Sequence, residues 1–289
     1  MHVIIPIIAA SVCLFQAQPP VQHNLRIGDA YTYDLMYGEK GGSEAVVSGI
    51  LTVECGMPRA SSATPAGKAA DYLLNLRLAS FAFSCKDVST SERMRGVLAL
   101  VKEFSFSAEM DRMGDVHATD LPEAVERFLA EDGEKKAPVL ANVLLPLTAA
   151  IWATVYPRIE AATSPANRGK LMLIDRDWSA LGLADPRWSA LYRGPIPVNL
   201  APERSIADED GKRRLTGRLI LWRQVTTVRA SKEFGARGDI SEATKMKIVF
   251  REGVCEEADE ESRTVEDDGT QLPVVFFRCR LKEQQEMDP

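Results

Sequence analysis

The residues that could perform acid–base chemistry are few in this sequence. Of the three histidines, only His117 lies well inside the chain, between Asp115 and Asp120. A histidine beside a carboxylate is a common arrangement for moving protons in catalysis. These residues fall, however, where a hairpin and then a helix start are predicted, and such positions usually hold an exposed loop histidine. We therefore expect His117 to be solvated and not catalytic.

The sequence motifs of known catalytic sites are absent from the chain. It contains no G-x-S-x-G, H-E-x-x-H, G-x-x-x-x-G-K-S/T or G-x-G-x-x-G pattern, the signatures of nucleophilic serines, zinc proteases, phosphate loops and dinucleotide sites. Paired carboxylates identify no site in a chain with 41 acidic residues. We predict a protein that is not an enzyme and uses no cofactor, with a hydrolase of unrecognised site as an alternative.

One acidic segment could gather a metal ion. Residues 256–268 contain eight acids and only Arg263 as a base, and Ca²⁺ binds six to eight oxygen atoms. The segment lacks the ligand spacing and the turn glycine of an EF-hand loop, and the acidic run at 208–211 is shorter still. We expect solvated acidic loops in both places and no metal site.

Cysteine chemistry depends on which compartment the chain occupies. Beyond the first 20 residues the chain has four cysteines, Cys55, Cys85, Cys255 and Cys279, with no C-x-x-C pair. If Cys55 and Cys85 end successive strands of a hairpin, they lie far apart, because each strand residue adds about 3.3 Å and a disulfide needs Cα atoms within about 7 Å. Long-range pairing and free, buried thiols remain the two interpretations.

Alternating apolar residues predict strands over most of residues 24–110. The predicted strands cover 30–37, 46–55, 72–85 and 103–110. In the last, Phe104 and Phe106 share a face opposite Glu103 and Ser105, the period of two that a half-buried strand requires. Residues 112–115 then form a turn back into a short strand at 116–118.

The middle of the chain is predicted to be helical. A first helix covers Leu121 to about Ala130 and is stopped by Asp132-Gly133. Residues 137–157 follow without a single charge, long enough to span a membrane, although Pro146 should kink or break a helix. We interpret this segment as a helix buried in the core, with a membrane span and a pair of strands as alternatives. Residues 160–212 look irregular, with a D/R-W-S-A-L echo at 177–181 and 187–191.

The C-terminal part returns to strands, predicted at 214–229, 244–255 and 272–281, and ends in a polar tail that we expect to fray. Residues 212–232 carry seven Lys or Arg and no acid. If neighbouring strands bring them to the acidic segment 256–268, the charges can pair across the sheet surface. The alternative is a basic face for anionic lipid or a protein partner. The net charge of −6 argues against nucleic acid, and so does the basic segment itself, whose single aromatic residue, Trp222, offers no stacking platform.

The start of the chain resembles an export signal. Residues 3–15 are apolar and uncharged, too short to span a membrane, and small and polar residues follow. We expect a signal peptide at 1–18, with an uncleaved or lipid anchor, or a buried strand, as alternatives. Residues 19–289 then form a single β-rich domain with a helical insert at about 120–160 and the irregular segment 160–212. Secretion, the periplasm or the secretory lumen is the predicted location.

The inner strand faces are candidates for an apolar cavity. We predict a mainly β (α+β) protein in which a strongly curved antiparallel sheet or barrel wraps around one or two helices. Complete closure over the helix gives a filled core, whereas incomplete closure leaves room for an acyl chain. The candidate ligand-binding residues are Leu74, Leu76, Phe104, Phe106 and Trp152.

Three stretches resemble a known family. They are LRIGDAYTY at 25–33, VSGILTVEC at 47–55 and DYLLNLRL at 71–78. This G-x-x-Y-x-Y strand and the rhythm of the strands after it resemble the N-terminal β-barrel of large lipid transfer proteins, the vitellogenin and microsomal triglyceride transfer protein group. The resemblance covers about residues 25–85 and extends loosely to 157. It implies a barrel-like fold in which residues 141–156 take the place of the enclosed helix, and a binding role.

The function predicted from these observations is non-catalytic binding of a lipid or other apolar ligand by an exported protein. A protein partner that pairs with a sheet edge is a further expected type of interaction. The main alternative is a structural or assembly protein attached to a membrane or a partner.

Overall fold

Segments in which apolar and polar residues alternate form long antiparallel strands. The computed structural model describes residues 22–58, 70–161, 171–173, 196–200, 218–230, 239–265 and 269–286. The chain is mainly β, as predicted. Its strands, in chain order, are β1 (Asp29–Lys40), β2 (Val46–Gly56), β3 (Tyr72–Ser84), β4 (Glu103–Met110), β5 (Val116–Thr119), β6 (Ile159–Ala161), β7 (Leu171–Leu173), β8 (Ile196–Leu200), β9 (Arg218–Ala230), β10 (Asp239–Arg251), β11 (Val254–Val265) and β12 (Val274–Glu286).

All twelve strands join one antiparallel sheet in the order β5-β4-β3-β2-β1-β12-β11-β10-β9-β8-β7-β6. The sheet is open, since β5 and β6 stand at its two edges in the described part of the chain. We call the end of the sheet that holds Asp29, Tyr72 and Arg251 the lower end. The opposite end, with Lys40 and Val274, is the upper end.

The sheet is strongly curved, and His23 shows this directly. The His23 carbonyl accepts a hydrogen bond from the Tyr72 hydroxyl on β3 at 3.0 Å, while its ring lies 5.9 Å from the ring of Phe250 on β10. In a flat sheet, β3 and β10 would be about 24 Å apart, because neighbouring strands are about 4.8 Å apart. The sheet therefore wraps around its inner face, as predicted.

The centre of the sheet joins the two ends of the described chain. β1 pairs with β12 along its whole length, from Asp29 opposite Glu286 to Lys40 opposite Val274. On its other side β1 pairs with β2. This pairing connects an N-terminal half, β5 to β1, with a C-terminal half, β12 to β6.

The helices pack against strands of both halves of the sheet. They are α1 (Val88–Leu98), α2 (Leu121–Leu129), α3 (Gly133–Val139), a π-helical segment (Leu140–Leu144) and α4 (Leu145–Thr154). The prediction for α2 is confirmed, including its end before Asp132-Gly133. Helix α1 was not predicted; it begins at Asp87, whose carboxylate accepts a hydrogen bond from the Thr90 N–H at 2.9 Å.

Residues 133–154 form one continuous helical run, so the alternative of two strands is wrong. Pro146 lies in the first turn of α4, directly after the π-helical segment. The wider π turn accommodates the proline without ending the helix. Among the described residues, one helix, Gly133–Thr154, is long and apolar enough to cross a membrane by length and composition alone, and 61% of its most apolar stretch is buried in the fold.

The C-terminal strands differ from the prediction in three ways. The predicted strand 244–255 is interrupted by a tight turn at Glu252-Gly253, where both residues have positive φ, the geometry of a two-residue hairpin. Residues 256–265 of the segment expected as an acidic loop belong instead to strand β11. The tail expected to fray after Leu281 continues as β12 to Glu286.

Cross-strand ion pairs explain how a strand can carry so many acids. β9 is separated from β11 by β10, so the basic segment is not the neighbour of the acidic strand. The partners come from β10, β12 and β1 instead. The pairs include Glu257 with Lys247 at 3.0 Å, Asp259 with Arg280 at 2.8 Å, and Glu261 with Lys40.

Two predictions fall on residues that the structure does not describe. They are the signal peptide at 1–18 and the sequence echo at 177–181 and 187–191. Within the segment expected to be irregular, 160–212, the described residues form β7, β8 and part of β6, so that interpretation is wrong where the chain is described.

A candidate ligand-binding interior

The predicted inner face of β3 and β4 is a continuous apolar surface. Leu76 lies opposite Phe106, and Leu78 opposite Phe104, so these side chains occupy one patch on adjacent strands. All are at most 4% exposed. Helix α2 covers the patch, since the ring of Phe128 meets that of Phe104 edge to face at 5.5 Å.

The helix α4 fills the space enclosed by the sheet. Trp152 is completely buried, and its ring centroid lies 5.5 Å from that of Tyr156. The hydroxyls of Thr148 and Thr154 donate to carbonyls of their own helix, at 2.8 and 2.7 Å. These two hydroxyls therefore need no partner from the sheet, and α4 presents an apolar surface on all sides.

All five residues predicted to line a cavity lie in one core. They belong to a single cluster of buried apolar side chains from β1–β4, β10–β12, α2 and α4. The cluster packs as a filled interior around Leu74, Leu76, Phe104, Phe106 and Trp152. Their role in binding a ligand stays a prediction.

The lower part of the interior contains phenolic and thiol groups. The Tyr33 hydroxyl is fully buried and makes no hydrogen bond with the described residues. Burial raises the pKa of Tyr33 and of Tyr156 well above the ordinary value. These groups stay protonated at any physiological pH and bear no charge that would repel an apolar ligand.

The four cysteines in the described part of the chain are free thiols, and three of them are buried. Burial raises the pKa of Cys55 to about 12 and the pKa values of Cys255 and Cys279 further. Cys55 lies at the lower end of the sheet and Cys85 at the upper end, as the strand geometry predicted. The buried thiols behave as small apolar groups, because only the thiolate is a nucleophile.

His23 closes the interior from below. Its Nε2–H donates to the Pro157 carbonyl at 2.9 Å, just past α4, and its ring packs on Tyr156 and Phe250. This role was not predicted from the sequence. His23 is buried because the N-terminal segment crosses under the lower end of the sheet. No local sequence pattern predicts such a long-range contact.

The side chain of His117 is largely shielded from solvent, contrary to the expectation of a solvated loop residue. It lies on β5, with its Nε2 3.4 Å from Asp111 Oδ2 and its side chain 8% exposed. Asp111 Oδ1 accepts hydrogen bonds from the amides of Met113 and Asp115, each at 2.9 Å. Asp115 in turn pairs with Arg158 at 2.7 Å. These contacts fasten the turn before β5 to the end of α4.

An open cleft of about 210 Å³ lies at the lower end, at the edge of the apolar core. Its charged lining consists of Arg26, Arg251, Glu252 and Glu256, and its floor includes Tyr31 and Gln284. No group of three or more His, Cys, Asp or Glu side chains suited to a metal ion occurs in the described part of the chain.

Comparison with known proteins finds a likeness among solved structures. No protein-family model matches the chain, and no curated protein is significantly similar to it. A solved structure of lipid–protein interactions in lipovitellin is similar, with 8% sequence identity and a TM-score of 0.44. The match covers 92% of this chain and 26% of that one, so this chain spans about a quarter of its length.

The likeness to lipovitellin agrees with the weak resemblance to large lipid transfer proteins that residues 25–85 predict. At this identity and TM-score it carries no argument about a ligand.

Proposed function

We propose that the chain is an exported, non-catalytic binding protein for a lipid or another apolar ligand. The observation that carries the proposal is the apolar interior between an open, curved sheet and a helix that is apolar on all sides. In its described part the sheet leaves β5 and β6 unpaired with each other. The apolar segment at residues 3–15 supports export.

An open sheet matters because it allows the interior to widen. The Thr148 and Thr154 hydroxyls of α4 bond to their own helix. The apolar contacts between α4 and the sheet are not directional. An acyl chain that enters between the helix and the sheet can therefore make similar contacts with both. Movement of the helix away from the sheet leaves the strand pairing intact.

Native mass spectrometry of the protein purified from its own host tests this proposal. We expect a bound lipid at defined stoichiometry, released by organic extraction and identified by its mass. A chain that carries no lipid from its host and takes up none from mixed-lipid vesicles would overturn the proposal.

Two variants of β4 show whether the ligand occupies the interior. Phe106→Leu keeps the core apolar but changes its shape, and we expect it to alter the chain lengths of the extracted lipids or to lower occupancy. Ser105→Ala changes the exposed face of the same strand and should leave the lipid profile unchanged. Circular dichroism confirms that both variants are folded. Identical lipid profiles for Phe106→Leu and the unmodified chain would place the ligand elsewhere.

The helix Gly133–Thr154 favours a second candidate, a structural or assembly protein attached to a membrane. Its length and composition suit a span, and residues such as Ala137, Ala141 and Asn142 are exposed. The complete burial of Trp152 and Ile151 favours the core helix. Solubility of the purified protein only in detergent would favour membrane attachment.

A further inference from the structure

The cleft at the lower end has the size and position of a head-group site. Its volume of about 210 Å³ is below the roughly 300 Å³ at which sites for drug-sized ligands begin. It can hold a small polar group but not a whole lipid. Val254 lines the cleft and also belongs to the apolar core, so the cleft adjoins the interior.

The cleft contains two guanidinium groups that remain accessible. Arg251 Nε lies 2.8 Å from Glu256 Oε1, and the Arg251 side chain is 62% exposed. Arg26 lies 3.9 Å from Glu286, with its side chain 64% exposed. Exposed pairs of this kind are weak, so an anionic ligand can recruit both guanidiniums, which suit phosphate oxygens.

The floor of the cleft covers a buried carboxylate. Asp29 is 4% exposed, and its Oδ2 accepts hydrogen bonds from Gln284 Nε2 at 2.7 Å and from the Tyr31 hydroxyl at 3.4 Å. Both donors line the cleft and both are neutral. No Lys or Arg forms an ion pair with Asp29 in the part of the chain that is described. Asp29 and Glu256 thus supply negative charge beside the two arginines.

We propose that this cleft binds a zwitterionic head group in which a phosphate and an ammonium stand side by side. The phosphate lies against Arg26 and Arg251, and the ammonium lies towards Glu256 and the Asp29–Gln284 floor. The inference deepens the proposed function, because it assigns the lipid class: a phospholipid with an amine head group, not an anionic or uncharged lipid.

Calorimetric titration of the full chain with phosphoethanolamine, inorganic phosphate and ethanolamine tests the site directly. We expect one phosphoethanolamine per chain, bound at least tenfold more tightly than either fragment. Phosphate that binds as tightly as phosphoethanolamine would overturn the zwitterion assignment, and so would the absence of any phosphoethanolamine binding.

Arg251→Gln and Glu256→Gln each remove one charge from the cleft. We expect each to weaken phosphoethanolamine binding about tenfold, since each removes a charge-assisted contact. Arg77→Gln is the matched control: it removes an exposed arginine paired with Glu103 at 3.9 Å on strands away from the cleft. Equal affinities for Arg251→Gln, Glu256→Gln and Arg77→Gln would overturn the site.

Capture of lipid from vesicles separates this inference from the proposed function. Vesicles contain phosphatidylethanolamine, phosphatidylglycerol and diacylglycerol, and we expect selective capture of phosphatidylethanolamine. Capture without head-group preference leaves the proposed function standing and overturns the inference. Binding of phosphoethanolamine without capture of any lipid supports the cleft as a site for a free phosphoamine and overturns the lipid-binding function.

Discussion

At the scale of single residues, burial determines which side chains are chemically available. Cys55, Cys255 and Cys279 lie in the core, whereas Cys85 is partly exposed after β3. The sequence left open whether these thiols pair or remain free. Spacing predicted the separation of Cys55 from Cys85, but only the sheet order shows that Cys279 lies between Leu35 and Ala258.

We predict that Cys85 reacts with iodoacetamide in the native protein at pH 8, while Cys55 does not. A pKa of about 12 for Cys55 leaves about one thiol in ten thousand as the reactive thiolate, and the core excludes the reagent. Peptide mapping by mass spectrometry measures each modification, and labelling in denaturant is the control that shows both sites are reactive once exposed. Equal native rates for Cys55 and Cys85 would contradict the described packing.

The candidate site was predictable where it depends on strand alternation. Period-two patterns placed Leu74, Leu76, Phe104 and Phe106 on a buried face, and the structure places all four in the core. The cleft residue Arg251 was not predictable, because its setting depends on the turn at Glu252-Gly253 and on the N-terminal segment beneath the sheet. Contacts between segments distant in sequence leave no local pattern.

At the scale of elements, α1 is a helix that the hydrophobic pattern of the sequence does not predict. Residues 88–98 have little apolar periodicity and bury only Ser91 and Leu98. The informative signal is Asp87 three residues before Thr90, an N-cap arrangement. Hydrogen bonds from Thr90 and Ser89 hold the pKa of Asp87 below its ordinary value of 3.8.

We predict that α1 loses stability when Asp87 is protonated. A carboxyl whose pKa is lowered by folding stabilises the folded state fully above its ordinary pKa. That contribution disappears as pH falls through the lower, folded pKa, so the effect is confined to pH values below about 4. Hydrogen-exchange protection factors of α1 amides should fall in this range.

Two variants isolate the contribution of the Asp87 cap. Asp87→Ala should show reduced α1 protection at neutral pH and little further change in acid. Glu92→Ala alters an exposed carboxylate within α1 and should behave like the unmodified chain. An Asp87 pKa at or above 3.8, measured by NMR titration, would show that the cap does not form.

At the scale of the whole molecule, the sequence predicted the class of fold but not its topology. Strand patterns, the charge-free helix and the resemblance gave a curved sheet around a helix. The pairing of β1 with β12 could not be predicted, because the alternating pattern of a strand does not indicate which strand lies beside it in the sheet. The same pairing makes the C-terminal strand the connection between the two halves of the sheet.

We predict that removal of β12 abolishes cooperative unfolding. A chain ending at Gln271 leaves an edge of β1 and an edge of β11 without partners, and it exposes core residues that Phe277 and Cys279 cover. Urea unfolding followed by circular dichroism should show a broad, non-cooperative transition or an insoluble protein. A chain ending at Glu286 retains all of β12 and is the control. A sharp transition in the shorter chain would show that the halves fold independently.

Because β12 lies in the centre of the sheet, the sheet cannot be completed until β12 has been synthesised. Asp29 and Gln284, joined by a side-chain hydrogen bond, are 255 positions apart in sequence. At about 5–20 residues per second, a ribosome needs roughly 10–50 s to make the chain between them. Throughout that interval β1 has one edge without its partner, so the complete sheet forms only after synthesis of the last strand. Such a delay leaves the unpaired edge of β1 exposed to chaperones that bind unpaired strands.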